Sequence, residues 1–194
     1  MNKKPKLIIA LLAAGQASRF GSPKQLAYFQ GQTLLQRSID VLSAMNCDLL
    51  VITGAHQQLV NKHLNLESKS YSVVFNQHWQ QGMSSSIKAA VTNIPKDCEG
   101  IMFATVDQIH LTIQDIQLLI DRWYKDTSRI VCAEYAQHQG VPAIFPHHYF
   151  PQLLGLENDK GARQLIKSSD NVSSITLANA EIDIDTPEQL NAQS

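Results

Sequence analysis

The stretch Leu7-Ile8-Ile9-Ala10-Leu11-Leu12-Ala13, followed directly by AGQASRFGSPKQ (residues 14–25), decides the fold of this chain. Seven successive apolar residues are typical of a central strand in a parallel sheet, which is buried on both faces. The run could also belong to a signal peptide, because basic residues precede it and Ala17 could mark a cleavage position. We favour the strand, because cleavage would destroy a loop whose composition indicates a function.

Short apolar runs continue to alternate with helical periodicity along the chain. Ile116, Leu119, Ile120 and Trp123, for example, follow the i, i+3, i+4, i+7 spacing of a helix with one apolar face. The predicted strands are Leu7–Ala13, Asp48–Thr53, Tyr71–Phe75, Gly100–Val106, Ile130–Glu134, Val141–Phe145 and Ser174–Leu177. This alternation predicts an α/β fold with a mostly parallel sheet covered on both faces. Only the short loop 135–140 separates two of the strands, which predicts an antiparallel excursion there.

Length and composition exclude several classes of protein. The 194 residues carry 16 basic and 17 acidic side chains, and we expect one domain spanning residues 1–194 that does not bind nucleic acid or a membrane surface. The aliphatic run 7–14 is far shorter than the roughly 20 residues of a membrane span. The three cysteines form no CxxC pair, which favours free buried thiols and a cytoplasmic location.

The loop after the first predicted strand combines small residues with positive charge. Gly15 and Gly21 let backbone amides approach a ligand, and Arg19 and Lys24 add cations to the same loop. The spacing differs from both the Walker loop and the GxGxxG fingerprint. The loop therefore predicts a phosphate site of another type, and the alternative is a plain connection with two exposed basic residues.

Aspartates stand at two further positions where a site is expected. Asp107 follows the apolar strand 100–106, at the edge of the sheet where ligands of such folds bind. Asp183 and Asp185 alternate with isoleucines and so share one face. Mg²⁺ binds through one or two carboxylates together with phosphates and water, which makes Asp107 and Asp185 candidate ligands. The alternatives are a turn cap at Asp107 and a helix-dipole partner at Asp185.

Two other segments are candidates for substrate contacts. Ser84, Ser85 and Ser86 open a predicted helix, where hydroxyls and free amides bind a nucleoside or phosphate, or only cap the helix. Arg163 follows a charged loop and could hold a second anionic substrate or lie solvated at the surface.

Together these motifs resemble the molybdenum cofactor nucleotidyltransferases, within the wider MobA-like nucleoside-triphosphate transferases. The segment LLAAGQASRFGSPKQL (residues 11–26) is similar to the LAAGxSxRMGxxKxL signature of that family. GMSSSI, ATVDQ, Gly140-Val141-Pro142, KGAR and IDIDTPEQL follow in the expected order, so that the resemblance covers about residues 7–191. The later motifs are most similar to those of the cytidylyltransferases.

The resemblance implies a Rossmann-like three-layer α/β/α fold with a mostly parallel mixed sheet of about seven strands. It also implies magnesium-dependent transfer of CMP from CTP to the phosphate of molybdopterin-bound molybdenum cofactor, with release of pyrophosphate. The residues implied in catalysis are Lys24, Arg19 and Asp107, and those implied in binding Mg²⁺ are Asp107 and Asp185. Nucleotide contacts are implied for Leu12, Ala13, Ala14, Gly15, Arg19, Gly21, Lys24, Ser84, Ser85 and Ser86, and acceptor contacts for Gly140 and Arg163.

The implied partners are small molecules, a nucleoside triphosphate and a phosphorylated acceptor, with transient contact to an enzyme that receives the product. A different acceptor, such as methylerythritol phosphate or a sugar phosphate, and a non-catalytic nucleotide-binding module stay open. Two departures from the family pattern, and one residue that separates this chain from guanylyl-transferring relatives, carry expectations. Ile109 replaces a usual proline, which predicts a looser turn after Asp107, and residues 157–160 leave the acceptor open. Ala14 replaces a glycine of guanylyl-transferring relatives, and its methyl predicts a preference for CTP over GTP.

Overall fold

The computed structural model describes residues 4–67, 70–157 and 161–193. The strands are β1 (Leu7–Ala13), β2 (Tyr28–Phe29), β3 (Gln32–Thr33), β4 (Asp48–Thr53), β5 (Ser72–Phe75), β6 (Gly100–Thr105), β7 (Ile130–Tyr135), β8 (His138–Pro146) and β9 (Val172–Thr176). The α-helices are α1 (Leu34–Ser43), α2 (Gln57–Asn61), α3 (Met83–Thr92), α4 (Ile113–Lys125), α5 (Phe150–Leu154), α6 (Arg163–Ser168) and α7 (Pro187–Asn191). Short 3₁₀ turns at Ser18–Phe20 and Lys24–Leu26 lie in the loop after β1.

Seven strands form the main sheet in the order β5-β4-β1-β6-β8-β7-β9, and β2 and β3 form a separate hairpin. All neighbours in the main sheet are parallel except β8, which is antiparallel to both β6 and β7. The predicted α/β class and the antiparallel excursion are confirmed. The first two predicted strands keep their bounds, and the largest shift is at β8, which begins three residues before the predicted Val141.

β1 lies at the centre of the sheet, between β4 and β6, and every one of its residues is buried. Because successive side chains of a strand point to opposite faces, β1 contributes to two apolar layers. Ile9 and Leu11 pack in the layer that includes α1 and α4, whereas Ile8 and Ala10 pack in the layer that includes α3 and α6. This position confirms the interpretation of residues 7–13 as a central strand.

The connection between β7 and β8 is tighter than the sequence predicted. Ala136 and Gln137 have φ angles of 46° and 62°, and the strands pair up to Tyr135 and His138. The expected loop 135–140 is therefore a two-residue turn, because left-handed conformations at both central positions match the twist of the flanking strands.

Two helix starts have capping boxes, which the patterns TIQD (residues 112–115) and TPEQ (residues 186–189) predict from the sequence. The hydroxyl of Thr112 accepts from the Asp115 amide, and the hydroxyl of Thr186 accepts from the Gln189 amide. Within the described part of the chain, no helix combines the length and apolar character that crossing a membrane requires.

The three cysteines are free thiols in the structure, as the sequence indicated. Burial raises the pKa of Cys98 to about 11 and that of Cys132 to about 12. Such thiols stay protonated at neutral pH, so these two cysteines serve packing rather than chemistry.

Candidate active site

Four charged residues from distant parts of the chain meet at the carboxyl ends of the central strands. Lys24 Nζ lies 2.9 Å from Asp107 Oδ2 and 3.3 Å from Asp185 Oδ1. Arg19 Nη1 lies 2.9 Å from Asp185 Oδ2. The Lys24 side chain is 12% exposed and that of Arg19 is 73% exposed. The structure thus brings the predicted catalytic residues and both predicted metal ligands into one cluster, with Lys24 at its centre.

A hydrogen bond to the backbone of Asp107 brings the segment that carries Asp183 and Asp185 to this cluster. The Asp107 carbonyl accepts a hydrogen bond of 3.1 Å from the amide of Ile184, whose side chain is fully buried. Because neighbouring residues of an extended segment point to opposite sides, Asp183 and Asp185 face away from this apolar contact. The amide of Asp185 also donates to Gln189 Oε1 at 2.7 Å, which ties the aspartate to the start of α7.

The turn after Asp107 is anchored, contrary to the expectation from Ile109. The amide of Ile109 donates to the Asp107 carbonyl at 3.1 Å, and its own carbonyl accepts from Arg37 Nε at 2.7 Å. Its side chain is 3% exposed and packs beside Phe20 and Ile184. An apolar contact and a cationic hydrogen bond therefore hold the turn, and the prediction that it is looser was wrong.

Two adjacent cavities open at this edge of the sheet. The first has a volume of about 320 Å³ and is lined by Leu12, Ala13, Gly15, Ala17, Ser18, Arg19, Lys24, Gln25, Met83, Thr105, Val106, Asp107 and Asp185. The second has a volume of about 270 Å³ and is lined by Met83, Ile87, Thr105, Asp107, Tyr135, Gly140, Val141, Gly161, Ala162, Arg163 and Asp183. Met83, Thr105 and Asp107 belong to both, so two substrates bound in these cavities would meet at Asp107.

The loop of the first cavity has the geometry of an anion cradle. The Cβ of a side chain at position 15 would have no atom within 4 Å, so the backbone at Gly15 borders open space. Ala17 and Gly21 have left-handed φ angles of 54° and 73° and flank the short turn, and Phe20 anchors that turn in the core. Left-handed residues within a turn direct successive amides towards one point, which suits a phosphate. Gly21 itself does not line the cavity.

The methyl of Ala14 lies against Gly54 rather than in the cavity lining. A Cβ built on Gly54 would come within 2.8 Å of Ala14 Cβ and 2.6 Å of Trp79 Cβ, which explains why glycine occupies position 54. Ala14 is 5% exposed. The Ala14 methyl can therefore affect a bound base only through the residues that it contacts. The preference for CTP over GTP stays a prediction.

Ser84, Ser85 and Ser86 are buried at the start of α3, and none of them lines either cavity. Asn76 Nδ2 donates to Ser85 Oγ at 2.8 Å and to Ser86 Oγ at 3.1 Å. The helix turns residue 83 towards the cavities and the next three residues towards the interior. Their predicted contacts with the nucleotide stay a prediction, and Met83 is the residue of this motif that reaches both cavities.

The predicted acceptor residues Gly140 and Arg163 line the second cavity together. A Cβ built on Gly140 would lie 2.7 Å from the Tyr135 hydroxyl oxygen, so glycine is needed there to seat the tyrosine ring. Arg163 is exposed at the first position of α6. Residues 158–160, which belong to the charged loop that precedes Arg163 in the sequence, lie outside the described residues.

Asp183 is the most perturbed carboxyl group of the site. It keeps solvent contact at the open side of the second cavity. Burial and then the negative charges of Asp107 and Asp185 nevertheless raise its pKa to about 6, against the lowering effect of Lys24 and Arg163. Three carboxylates thus crowd one edge of the sheet, and a bound cation would relieve their repulsion.

The donors present fit a hard divalent cation. Asp107 and Asp185 each direct one carboxylate oxygen at the same ammonium group, which shows that the two oxygens converge on one cationic position. Among the described residues, no three or more His, Cys, Asp or Glu side chains form a metal-binding group. Such a pair suits Mg²⁺, which takes its other ligands from phosphates and water.

Four further residues adjoin the site although no motif in the sequence indicates them: Met83, Tyr135, Gln25 and Gln108. The alternation of residues 182–185 predicts that Asp183 faces the same way as Asp185, but it indicates no role for Asp183. The glutamines directly follow Lys24 and Asp107, and this adjacency to charged motif residues is the signal that could have identified them. Met83 and Tyr135 resemble ordinary apolar residues in the sequence, and only their positions at the cavity walls distinguish them.

Comparison with known proteins places this site in a family. Residues 9–172 match the family model described as the MobA-like NTP transferase domain. A nicotine blue oxidoreductase of Paenarthrobacter nicotinovorans is 28% identical over 194 aligned residues, covering 93% of this chain and 92% of that protein. A molybdenum cofactor cytidylyltransferase of Escherichia coli K12 is 25% identical over 181 residues, covering 92% and 90%. The family model matches most of the chain, whereas the two relatives are named for different activities.

Solved structures agree with the fold. A crystal structure of Rv0371c from Mycobacterium tuberculosis H37Rv has a TM-score of 0.85 and 24% identity and covers 98% of both chains. A complex of Rv0371c with manganese has a TM-score of 0.80 and 23% identity. These likenesses show that the Rossmann-like α/β fold is shared, and one of the two structures is a complex with a divalent metal.

Proposed function

The chain belongs to the MobA-like NTP transferase family, and on this premise we propose that it transfers CMP from CTP to the phosphate of molybdopterin-bound molybdenum cofactor. Pyrophosphate is the second product. The observation that carries the proposal is the cluster of Arg19, Lys24, Asp107 and Asp185 between two cavities that share Asp107. A protein that only binds nucleotides has no need of both cations and both carboxylates at one point, and this disfavours a non-catalytic module.

The proposed reaction is a displacement at phosphorus. An oxygen of the acceptor's phosphate forms a bond to the α-phosphorus of CTP, and the bond from this phosphorus to the bridging oxygen of the β-phosphate breaks. Lys24 supplies a compact positive charge to a phosphoryl oxygen, and Arg19 can donate two hydrogen bonds to the triphosphate. A phosphate monoester is already largely ionised at neutral pH, so the attack needs no general base. The protein acts mainly by positioning two anions and stabilising the charge between them.

Asp107 and Asp185 are the residues that would hold Mg²⁺ in this proposal. The bound metal would supply positive charge next to the phosphates and reduce the repulsion between the two anionic substrates. The carboxylate oxygens that converge on Lys24 Nζ support a cation beside these aspartates, and a structure with the same fold has been obtained as a complex with manganese.

The first cavity is assigned to the nucleotide and the second to the acceptor. The first contains the amide-lined loop with Arg19 and Lys24, which suits a triphosphate. The second combines Arg163 with an apolar wall that includes Met83, Ile87 and Val141, which suits an acceptor with both a phosphate and a ring system. The similarity to a cytidylyltransferase of molybdenum cofactor supports this acceptor over a sugar phosphate or methylerythritol phosphate.

A pyrophosphate-release assay tests the acceptor. The purified protein is incubated with CTP, Mg²⁺ and, in turn, molybdenum cofactor, methylerythritol phosphate and a sugar phosphate. We expect turnover with molybdenum cofactor and no turnover with the other two acceptors. Turnover with one of the other two would assign the nucleotidyl transfer to that acceptor, and binding of CTP without any turnover would favour the non-catalytic module.

The preference for CTP over GTP is tested with the same acceptor. We expect a higher kcat/KM for CTP than for GTP. Because Ala14 contacts Gly54 and does not line the cavity, Ala14→Gly should change the ratio only by moving its neighbours. A parent that prefers GTP would refute the cytidylyl assignment.

The remaining assignments follow from the same proposal. The chain acts as one domain spanning residues 1–194 in the cytoplasm, on small-molecule substrates and without nucleic acid or membrane. It contacts transiently the enzyme that receives the finished cofactor.

A further inference from the structure

Two buried glutamines adjoin the charged cluster. Gln25 follows Lys24 and is 2% exposed, and Gln108 follows Asp107 and is 4% exposed. Each uses its side-chain Nε2 to donate two hydrogen bonds to backbone carbonyls, at distances of 2.8–3.0 Å. The Oε1 atom of each is buried, and the Gln108 side chain also lies within hydrogen-bonding reach of the Tyr135 hydroxyl.

Each glutamine connects separate backbone segments through the two hydrogen bonds that it donates. Rotating the amide would place Oε1 against two carbonyl oxygens, which is worse, and the observed orientation is therefore fixed by the carbonyls. What each glutamine achieves is a rigid link between backbone segments.

Gln25 links the turn that carries Lys24 to the end of the central strand. Its two acceptors are the carbonyls of Ala13 and Gly15, which stand on either side of Ala14 at the start of the phosphate-side loop. Residues of a 3₁₀ turn succeed one another by about 120°, so an anchored side chain at position 25 sets the direction of the one at position 24. The same link fixes the loop backbone at Gly15.

Gln108 links three segments that surround the second cavity. It donates to the carbonyl of Val141 on β8 at 2.9 Å and to that of Ala180 at 3.0 Å. Val141 is part of the wall of the second cavity, and Ala180 precedes the segment of Asp183 and Asp185. Gln108 thus sets the separation between Asp107, the acceptor wall and the last two aspartates.

We propose that Gln25 and Gln108 are positioning residues of the site, with different substrates as their targets. Gln25 orients Lys24 and the loop towards the nucleotide. Gln108 orients the carboxylates and the wall towards the metal and the acceptor. The inference rests on the proposed nucleotidyl transfer.

A methionine variant tests the positioning role of Gln25. Gln25→Met keeps the length of the side chain and removes both donors, and the control Gln117→Met changes an exposed glutamine whose side chain donates to Asp121. We expect Gln25→Met to raise the Kd for CTP with Mg²⁺ about tenfold, the equivalent of one to two neutral hydrogen bonds, measured by titration calorimetry. The acceptor KM should stay at the parent value, and Gln117→Met should match the parent in both.

Gln108→Met should show the reverse pattern. We expect the acceptor KM and the Mg²⁺ concentration for half-maximal rate each to rise about tenfold, with the Kd for CTP measured without metal unchanged. Equal effects of the two variants on both substrates would indicate general loosening of the site and would overturn the proposal.

A glutamate variant distinguishes a positioning role of Gln25 from a packing role. It also provides a test if Gln25→Met does not fold. As a carboxylate, Glu at position 25 repels the two carbonyls, but when protonated it donates one hydrogen bond. Gln25→Glu should therefore regain affinity for CTP as the pH falls, relative to the parent at the same pH, and Gln25→Met should not. The same affinity at every pH would overturn the positioning role.

The parent distinguishes failure of this inference from failure of the proposed function. A parent that binds neither CTP nor GTP overturns both. A parent that binds CTP as tightly as folded Gln25→Met and Gln25→Glu overturns the inference and leaves the proposed function intact.

Discussion

The two cavities that share Asp107 are built from different kinds of structure. The nucleotide cavity is bounded by the ends of β1 and β6 and by a loop anchored at Phe20, and its charges are paired at 2.9–3.3 Å. The acceptor cavity is bounded by the β7–β8 hairpin, the start of α6 and the segment before α7, and its arginine is exposed. In the proposed assignment, the groups that act on the nucleoside triphosphate come from the loop after β1, the end of β6 and the segment before α7. Those that face the acceptor come from the β7–β8 hairpin and the start of α6, and the two sets meet at Asp107.

The largest expected effect is at the centre of the charged cluster. Lys24→Ala should keep the fold and lower kcat about 10²–10³-fold, because it removes a charge aimed at the transition state. Steady-state pyrophosphate release measures the loss, and Lys125→Ala on the exposed side of α4 is the control. Near-normal turnover in a folded Lys24→Ala protein would contradict the assignment of the nucleotide cavity.

The next effect concerns the carboxylates between the cavities. Asp107→Asn should raise the Mg²⁺ concentration for half-maximal rate about 10–100-fold, since a neutral amide loses a charge-assisted interaction of about 1.5–3 kcal/mol. Asp185→Asn should act in the same direction, and a magnesium titration of the rate checks both. If neither substitution moves the titration, the two-carboxylate site is wrong.

A smaller effect is expected on the acceptor side. Arg163→Ala should raise the acceptor KM about tenfold, which is the loss of one exposed charged hydrogen bond of about 1.4 kcal/mol. The KM for CTP should not change, because Arg163 lines only the second cavity. Arg129→Ala, at a surface ion pair with Asp126, is the control. An equal rise in both KM values would remove the distinction between the cavities.

The smallest effect is on stability and depends on pH. The pKa of Asp183 is raised to about 6 in the folded protein, and that of an unfolded aspartate is about 3.9. The folded state therefore holds this proton more tightly, so stability falls as the pH rises from about 4 to about 6 and the full penalty remains above that range.

Asp183→Asn does not ionise and should be more stable than the parent above pH 6. The gain is about 1 kcal/mol or less, because solvent at the cavity mouth screens the charge, and it corresponds to a rise in Tm of at most about 2–4 °C. Thermal melting at pH 7.5 and pH 4.5 measures it, with about a third of the gain expected at pH 4.5, where only the unfolded aspartate is largely ionised. An equal gain at both pH values would attribute the effect to something other than repulsion among the three carboxylates.

Local sequence was informative wherever the structure depends on local periodicity. The strand at Leu7–Ala13 and the strand at Asp48–Thr53 have the predicted bounds, and both threonine capping boxes are present. The candidate charges also meet where predicted. Asp107 and Asp185 stand at strand and helix ends, and the topology of such a sheet brings those ends together.

Local sequence was less informative where distant residues decide a local property. Ile109 lacks the rigidity of proline, but burial and the hydrogen bond from Arg37 fix its turn. The methyl of Ala14 lies against Gly54 rather than in the cavity lining, so its effect on a base depends on residues far away in the chain and stays a prediction. Neither Arg37 nor Gly54 is near its partner in the chain, so no local pattern could reveal these contacts.

The sequence by itself determined the order of strands and helices, the helix starts and the identity of the charged residues, because these depend on side-chain periodicity and on chemistry within a few positions. Only the tertiary structure decided which buried polar groups connect the segments. The Gln25 bonds to the end of β1, the Gln108 bonds to Val141 and Ala180, and the Ile184 bond to Asp107 all join residues at least ten positions apart. Such bonds form only once packing of the core has brought their backbones together, since a buried amide must take the partners that the fold provides.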